Sequence, residues 1–252
     1  MTDFVVVIPS RYASVRLPGK PLVEIAGKPM IRHVYERACE SRAADVVIAT
    51  DDGRIASAAE SFGATVCMMG NQHTSGTERI AEVADIMNWS DETVVVNLQG
   101  DEPTMPALLV EQCAGLLSDE AADIATLASP FLSLDDFRNP NCVKAIRNAQ
   151  GHAIYFSRAT VPYPRDKGGE QRAADAALHH HGIYAYRCGV LRRLVAAKPS
   201  ELELCEHLEQ LRALDLGMTI AVGIPGVRPG TGVDTPDDVA RVAAELESAT
   251  AK

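Results

Sequence analysis

The sequence predicts an α/β fold in which helices flank a mostly parallel, Rossmann-like sheet. Short aliphatic runs alternate with segments of helical periodicity from the N-terminus to about residue 122. The runs are apolar at successive positions, which is typical of strands that are buried on both faces. Buried strands that are separated by helices favour parallel pairing with right-handed crossovers.

Four strands and four helices are predicted in alternation over this first part of the chain. The predicted strands are "FVVVIP", "DVVIAT", "TVCMM" and "TVVVNLQGDEP". The predicted helices are "MIRHVYERACES", "DGRIASAAESFG", "GTERIAEVADIM" and "PALLVEQCAGLL". In the first of them, Met30, Ile31 and Val34 have the spacing of a helix face. A loop rich in Gly and Pro separates the first strand from the first helix and extends to residue 29.

Beyond residue 122 the runs are shorter and more polar. We expect "DIATLASPF", "CVKAIRN", "AIYFSR" and "HHHGIYAYR" to form an antiparallel extension of the sheet, and the polar residues 165–177 to form a mobile surface loop. Helices follow in "GVLRRLVAAK" and "ELELCEHLEQLRALDLG", then a strand in "TIAVGIP" and a C-terminal helix that begins near Asp234 or Thr235. We predict a single domain over residues 1–252, with the extension at about 128–190.

Composition excludes several classes of partner. The chain has 34 acidic and 24 basic residues and a formal net charge of −10, so neither nucleic acid nor an anionic membrane surface is expected to bind it. The six cysteines show no C-x-x-C pair, which indicates thiols in a reducing compartment. Because the sequence also shows no signal-peptide pattern and no apolar run of about 20 residues, we expect a soluble cytoplasmic protein.

Basic side chains follow directly behind the first predicted strand, at Arg11, Arg16, Lys20 and Lys28. Ligands of open α/β sheets bind at the carboxyl ends of the strands, where backbone N–H groups and cations can converge on an anion. The alternative is a solvated loop whose charges only keep it soluble. The loop contains neither a Walker A motif nor G-x-G-x-x-G.

Two acidic motifs are predicted at the same edge of the sheet. Asp101 lies in "NLQGDEP" and Asp234 in "GTGVDTP". Each aspartate could be a helix cap. Together, however, two carboxylates at neighbouring strand ends offer the hard oxygen ligands that Mg²⁺ prefers beside phosphate oxygens. By contrast, the triplet at 179–181 has no third ligand at matching spacing, so a single contact from His181 is preferred to a metal pair.

Seven motifs together resemble one enzyme family. They are "IPSRYASVRLPGKPL", "GTER", "VNLQGDEP", "YFSRATVP", "HHGIYAYR", "LEQLR" and "PGTGVDTPDD". The chain resembles the 3-deoxy-manno-octulosonate (Kdo) cytidylyltransferases, or CMP-Kdo synthetases, from residue 4 to about residue 246. It departs from the family pattern in the first loop, where Ser10 replaces the usual Ala and Val15 the usual Thr or Ser.

The resemblance implies a nucleotide-diphospho-sugar transferase-like fold, transfer of CMP from CTP to the anomeric 2-hydroxyl of Kdo for lipopolysaccharide biosynthesis, and a homodimer formed through the extension. It implies that Asp101 and Asp234 bind Mg²⁺ and that Lys20 acts with them in catalysis. Its implied nucleotide contacts are Arg11, Arg16, Lys20, Thr50, Asp51, Ser75, Gly76 and Arg79. Its implied sugar contacts are Gln99, Arg158, His181, Tyr184, Glu209 and Gln210. For Thr50 and Asp51, a strand-to-helix cap is the alternative.

Two further readings of the function stay open at this point. The same chemistry could act on 8-amino-Kdo or on another acid sugar such as sialic acid, although "HHGIYAYR" and "LEQLR" disfavour sialic acid. A non-catalytic nucleotide- or sugar-binding module is the alternative from a different class. Because such a module would tolerate the loss of a metal carboxylate or a phosphate cation, the presence of Asp101, Asp234, Arg11, Arg16 and Lys20 argues against it.

Overall fold

The fold is a mixed sheet in which one antiparallel strand separates two parallel groups. A computed structural model describes residues 3–13, 17–70, 73 and 75–250; the predicted nucleotide contact Arg16 and the departure at Val15 lie outside them. The strands are β1 (Phe4–Ser10), β2 (Glu24–Ile25), β3 (Lys28–Pro29), β4 (Asp45–Thr50), β5 (Thr65–Met68), β6 (Val94–Asn97), β7 (Ile124–Pro130), β8 (Lys144–Arg147), β9 (Ala153–Ser157), β10 (Leu178–Arg187) and β11 (Ile220–Gly223). The helices are α1 (Met30–Cys39), α2 (Gly53–Ser61), α3 (Gly76–Ile86), α4 (Ala107–Gly115), α5 (Leu134–Arg138), α6 (Glu170–Ala176), α7 (Cys188–Ala196), α8 (Glu201–Glu206), α9 (Gln210–Asp215) and α10 (Pro236–Thr250).

The strand order of the main sheet is β11-β7-β10-β6-β1-β4-β5. β1 pairs in parallel with β4 and β6, which confirms the expected parallel sheet of the first half of the chain. β10 is antiparallel as expected, but it lies in the middle of the sheet, between β6 and β7. β7 pairs antiparallel with β10, as expected of the extension, and on its other side it runs parallel to β11. Among the described strands, β8 and β9 leave this path, with β8 pairing to the start of β10.

The alternation of β1 explains how the sheet is covered. Phe4, Val6 and Ile8 face a cluster that contains residues of α1 and α4, whereas Val5 and Val7 face residues of α3 and α7. Large aliphatic side chains on both faces are fully buried, and each such side chain contributes about 1.5–3 kcal/mol. Among the described residues, no helix combines the length and the apolar character that crossing a bilayer requires.

The expectation of a loop over residues 165–177 was wrong, because α6 occupies Glu170–Ala176. The polar composition hid a stripe of alanines. Ala173, Ala174 and Ala177 are buried against Phe137 of α5. The Arg138 guanidinium pairs with the Glu170 carboxylate across the same contact. Small side chains therefore hold this helix to its neighbour without a strong hydrophobic pattern.

The single helix expected in "ELELCEHLEQLRALDLG" is divided into α8 and α9. The break is at His207, which has a left-handed backbone conformation with a φ of 51°. The first loop also contains more structure than expected, with a 3-10 turn at Lys20–Leu22 and the hairpin of β2 and β3. Left-handed residues other than Gly are uncommon, so a helix end at His207 was not expected. Neither this helix end nor the structure of the first loop appears as a change in hydrophobic periodicity.

Lys144 of β8 is a fully buried cation that holds three segments together. Its Nζ donates to the main-chain oxygens of Asn139 and Cys142 at 2.9 Å and to that of Arg158 at 2.8 Å. The ammonium thus satisfies three carbonyl groups, and it fixes the start of the segment that carries Arg158.

We expect Lys144→Met to lower the free energy of unfolding by about 3 kcal/mol, because the three carbonyl oxygens lose their donor. Urea unfolding followed by circular dichroism measures the change. Lys167→Met, at an exposed lysine, is the matched control and should remain within about 0.5 kcal/mol of wild type. Equal losses in the two variants would contradict the structural role of Lys144.

Candidate active site

A cavity of about 400 Å³ lies at the carboxyl ends of β1 and β6. Its walls gather the basic first loop and both acidic motifs. The lining residues are Pro9, Ser10, Arg11, Ala13, Lys20, Pro21, Met30, Gln99, Gly100, Asp101 and Asp234. The topology therefore brings together the cations and carboxylates that the sequence places more than 200 residues apart. We refer to this space as the polar cavity.

Lys20 joins the two carboxylates of the polar cavity. Its Nζ donates to Asp101 Oδ2 at 2.7 Å and to Asp234 Oδ1 at 3.0 Å. Burial alone would lower the pKa of Lys20, but the two carboxylates outweigh that effect and raise the pKa above its ordinary value of 10.5. The ammonium is therefore charged at neutral pH, and it offsets the repulsion between the carboxylates.

The segments that carry Asp101 and Asp234 are fastened to each other. Val233 N donates to Asp101 O at 2.9 Å. Thr104 Oγ1 accepts from Thr231 N at 2.7 Å and donates to Thr231 O at 3.2 Å. A Cβ on Gly230 would lie 2.3 Å from the main-chain oxygen of Thr104, so the close approach of the two segments requires glycine there.

The donor set fits a magnesium ion that is shared with a nucleotide. Within the described part of the chain, no group of three or more His, Cys, Asp or Glu side chains is arranged to hold a metal ion. Mg²⁺ in phosphate-transfer sites requires only one or two carboxylates, since substrate phosphates and water supply the other ligands. Asp101 and Asp234 offer such a pair on one wall, and both side chains keep solvent access.

A second, smaller cavity of about 60 Å³ adjoins the first, and we refer to it as the inner cavity. It is lined by Gly76, Thr77, Asn97, Gln99, Ile124, Tyr184, Tyr186, Leu194, Glu209 and Gln210. Gln99 lines both cavities, so the two adjoin at this residue. A volume of this size has room for about four water molecules or a few hydroxyl groups.

Three buried polar atoms of the inner cavity have no hydrogen-bond partner within the described structure. They are Asn97 Oδ1, Tyr184 Oη and Gln210 Nε2. Burial raises the pKa of Tyr184 well above 10, so its hydroxyl remains a donor at neutral pH. Buried polar groups of native proteins are nearly always paired. Two donors and one acceptor around a single small space are able to pair with the hydroxyl groups of a polar ligand or with water.

Glu209 connects the inner cavity to the N-terminus of α3. Its carboxylate accepts from Ser75 Oγ at 3.0 Å and from Thr77 Oγ1 at 2.8 Å. Ser75 is the N-cap of α3 and forms a capping box with Glu78. Burial raises the pKa of Glu209, although the two hydroxyl donors act in the opposite direction. A predicted nucleotide contact, Ser75, and a predicted sugar contact, Glu209, are thus direct neighbours.

Four predicted nucleotide contacts line none of the cavities described here: Ser75, which contacts Glu209, and Thr50, Asp51 and Arg79. Thr50 is fully buried, and its Oγ1 accepts from Asp52 N at 3.2 Å. Asp52, rather than Thr50 or Asp51, caps α2. Asp51 accepts from Arg79 Nη2 at 2.7 Å. Nε and Nη1 of the buried Arg79 have no partner in the described part of the chain, which leaves this cation incompletely paired.

Arg158 is also separate from the other predicted sugar contacts. Its Nε donates to Glu206 O at 2.7 Å and its Nη1 to Pro140 O at 3.1 Å. Its backbone N–H donates to the Glu206 carboxylate, which also accepts from Ser157 Oγ at 2.8 Å. The Arg158 guanidinium is thus already hydrogen-bonded to main-chain oxygens, one of them at the break between α8 and α9.

His181 lines a third cavity, of about 920 Å³, with His179, His180 and the segment 224–232. Because β10 is antiparallel, its amino end reaches the edge of the sheet at which β6 and β7 end. The His181 Nε2 lies 2.9 Å from Ser129 Oγ. Burial lowers the pKa of His181 to about 4, so the imidazole is neutral and can accept or donate a hydrogen bond.

Five residues that line the inner cavity were not predicted as site residues: Thr77, Asn97, Ile124, Tyr186 and Leu194. Of these, Asn97 and Thr77 are buried polar residues. Asn97 ends the run "VVVN" of β6, and a polar residue on a strand that is otherwise fully buried was the available signal. Thr77 lies within the motif "GTER", but it follows the cap of α3 like any other residue of a first helical turn, so its position did not mark it as a contact.

Comparison with known proteins shows what this chain is similar to. Residues 5–220 match the family model of the cytidylyltransferases. The structure of a CMP:2-keto-3-deoxy-manno-octonic acid synthetase complexed with CTP is 41% identical, with a TM-score of 0.89 over 98% of this chain and 99% of that chain. A cytidylyltransferase from Leptospira borgpetersenii serovar Hardjo-bovis shares the fold at 15% identity, with a TM-score of 0.63 over 98% of this chain and 88% of that one. A 4-diphosphocytidyl-2C-methyl-D-erythritol synthase also shares the fold at 16% identity, with a TM-score of 0.64 over 98% of this chain and 100% of that one.

Glu102, next to Asp101, should make stability depend on pH. Burial raises the pKa of Glu102 from 4.5 to about 8, and the charge of Asp101 adds to the effect. Between these pH values the folded protein keeps a proton that the unfolded chain has lost. The free energy of unfolding should therefore decrease as pH rises through this window.

We expect Glu102→Gln to remove this contribution, so that its stability relative to wild type increases from about pH 5 to about pH 9. Urea unfolding in the presence of EDTA at several pH values measures the difference. The exposed Glu120→Gln serves as control. A stability difference between Glu102→Gln and wild type that stays constant with pH would refute the raised pKa.

Proposed function

This chain belongs to the cytidylyltransferase family, and we propose that it transfers CMP from CTP to the anomeric 2-hydroxyl of Kdo, releasing pyrophosphate. Kdo is the sugar acid that the 41% identical synthetase carries in its name. The observation that best supports the proposal is the pair of adjoining cavities. One has the charges that a triphosphate needs, and the other has the unpaired polar atoms that sugar hydroxyls need.

The residues divide between the two substrates. Arg11 and Lys20 of the polar cavity would donate to the triphosphate and stabilise the leaving pyrophosphate. Tyr184, Gln210 and Asn97 would pair with hydroxyl groups of the sugar. Gln99, which lines both cavities, would lie at the boundary where the sugar oxygen meets the α-phosphorus. Transfer then depends mainly on positioning and charge neutralisation, since no covalent nucleophile is needed.

Asp101 and Asp234 would hold Mg²⁺. When bound there, the ion would supply charge neutralisation at the phosphate and acidify the attacking sugar hydroxyl. In the free protein, Lys20 balances the same two carboxylates, which keeps the acidic wall together. A side chain that contacts both carboxylates and faces the polar cavity can also reach a phosphate oxygen, so we assign Lys20 to catalysis together with Asp101 and Asp234.

Two properties beyond the reaction belong to the proposal. We place the reaction in the cytoplasm for lipopolysaccharide synthesis, and the six unpaired cysteines suit a reducing compartment. We also propose a C₂ homodimer through residues 128–190. Leu132, Ile154 and Tyr163 of this region are all more than half exposed and offer apolar surface to a second copy.

The dimer predicts twice the mass of one chain in light scattering at micromolar concentration. Leu132→Glu should shift the protein towards the monomer, because a charge in an apolar interface loses its hydration. A monomeric wild-type protein at this concentration would contradict the proposal.

Pyrophosphate release by the purified protein with CTP, Kdo and Mg²⁺ tests the reaction directly. Parallel reactions with 8-amino-Kdo and sialic acid test the sugar, and those with UTP and ATP test the base. We expect release with CTP and Kdo only. Preference for the amino sugar would keep the chemistry and change the substrate, whereas silence with every pair despite CTP binding would indicate a non-catalytic module.

Asp101→Asn and Asp234→Asn should each fold normally and lose at least about 100-fold in kcat, since an amide oxygen is an uncharged and poorer ligand for Mg²⁺. Asp215→Asn, at an exposed position at the end of α9, is the matched control and should retain wild-type turnover. Circular dichroism verifies folding of all three variants. Wild-type rates in either Asp101→Asn or Asp234→Asn would refute the metal assignment.

A further inference from the structure

Ser10 ends β1 with a buried hydroxyl that has no hydrogen-bond partner in the described structure. Only 2% of the residue is exposed, and it lines the polar cavity. It occupies the same face of β1 as Phe4, Val6 and Ile8, because alternate strand residues share a face. The last position of an otherwise apolar face is thus polar at the point where the face reaches the cavity.

The neighbouring main chain encloses the hydroxyl on its other side. A Cβ on Gly100 would lie 2.7 Å from Ser10 Oγ and 2.9 Å from Pro9 O. Gly100 therefore packs directly over the end of β1, and it is the residue that precedes Asp101. This contact fixes the Ser10 side chain against the segment that carries Asp101 without giving the hydroxyl an acceptor.

A buried hydroxyl without a partner destabilises a folded protein, and alanine at this position would avoid the cost. Alanine would remove only the hydroxyl, so the backbone of β1 does not require serine here. We infer that Ser10 is a further nucleotide-binding residue of this chain, whose Oγ–H donates to a phosphate oxygen of bound CTP. The inference rests on the proposed function.

A phosphate oxygen is the acceptor that suits this position. Ser10 shares the cavity wall with Arg11 and Lys20, whose charges attract the triphosphate. Phosphate oxygens only accept hydrogen bonds, and a hydroxyl can rotate its hydrogen towards them. Hydrogen bonds to charged groups are about twice as strong as neutral ones. Ser10 would thus add a side-chain donor to this wall of the polar cavity.

Calorimetric titration of Ser10→Ala with CTP and with cytidine tests the inference. We expect CTP to bind about tenfold more weakly, which corresponds to the loss of one hydrogen bond to a charged group. Cytidine, which has no phosphate, should bind with unchanged affinity. Ser61→Ala, at an exposed serine that lines none of the cavities described, is the matched control and should bind both ligands as wild type does.

Thermal unfolding of the free proteins separates ligand binding from a structural role. Ser10→Ala should have a Tm at least as high as wild type without CTP and a smaller increase in Tm with CTP. A lower Tm without CTP, or an unchanged CTP affinity, would overturn the inference, and an equal loss for cytidine would overturn its assignment to phosphate. Wild-type protein that binds no CTP would instead refute the proposed function.

Discussion

The contact of one lysine with two aspartates determines the architecture of the site. Lys20 comes from the first loop, Asp101 from the loop after β6 and Asp234 from the loop before α10. The Lys20 ammonium lies within 3.0 Å of both carboxylates. Two carboxylates on one cavity wall repel each other unless a cation lies between them. The free protein supplies this cation itself, so the acidic wall is already assembled before a nucleotide or a metal ion binds.

The antiparallel strand β10 supplies the other half of the site. A wholly parallel sheet would direct the start of this strand to the opposite edge, away from the ends of β1 and β6. The reversed direction of β10 brings His181 to the third cavity, at the edge of the sheet where β6 ends. The pairing of β10 with β6 places Tyr184 opposite Asn97. The polar cavity therefore lies at the ends of the parallel strands β1 and β6. The inner cavity depends on the antiparallel pairing of β10 with β6.

Much of this arrangement can be predicted from the sequence, because the strands are strongly apolar and their ends are polar. The apolar runs predict the parallel pairing of β1 with β4 and β6. The polar strand ends predict that Lys20, Asp101 and Asp234 converge. The central position of β10 could not be predicted, since local pattern does not specify which neighbour a strand selects. The alanine stripe of α6 and the left-handed His207 were missed because neither changes the local hydrophobic period.

A crystal structure of the protein with CTP and Kdo bound in the absence of Mg²⁺ tests most directly whether the two adjoining cavities divide the substrates. We expect phosphate oxygens beside Lys20 and Arg11, and sugar hydroxyl groups within hydrogen-bond distance of Asn97 Oδ1, Tyr184 Oη and Gln210 Nε2. A sugar that lies elsewhere, with these three atoms still unpaired, would contradict this division of the substrates.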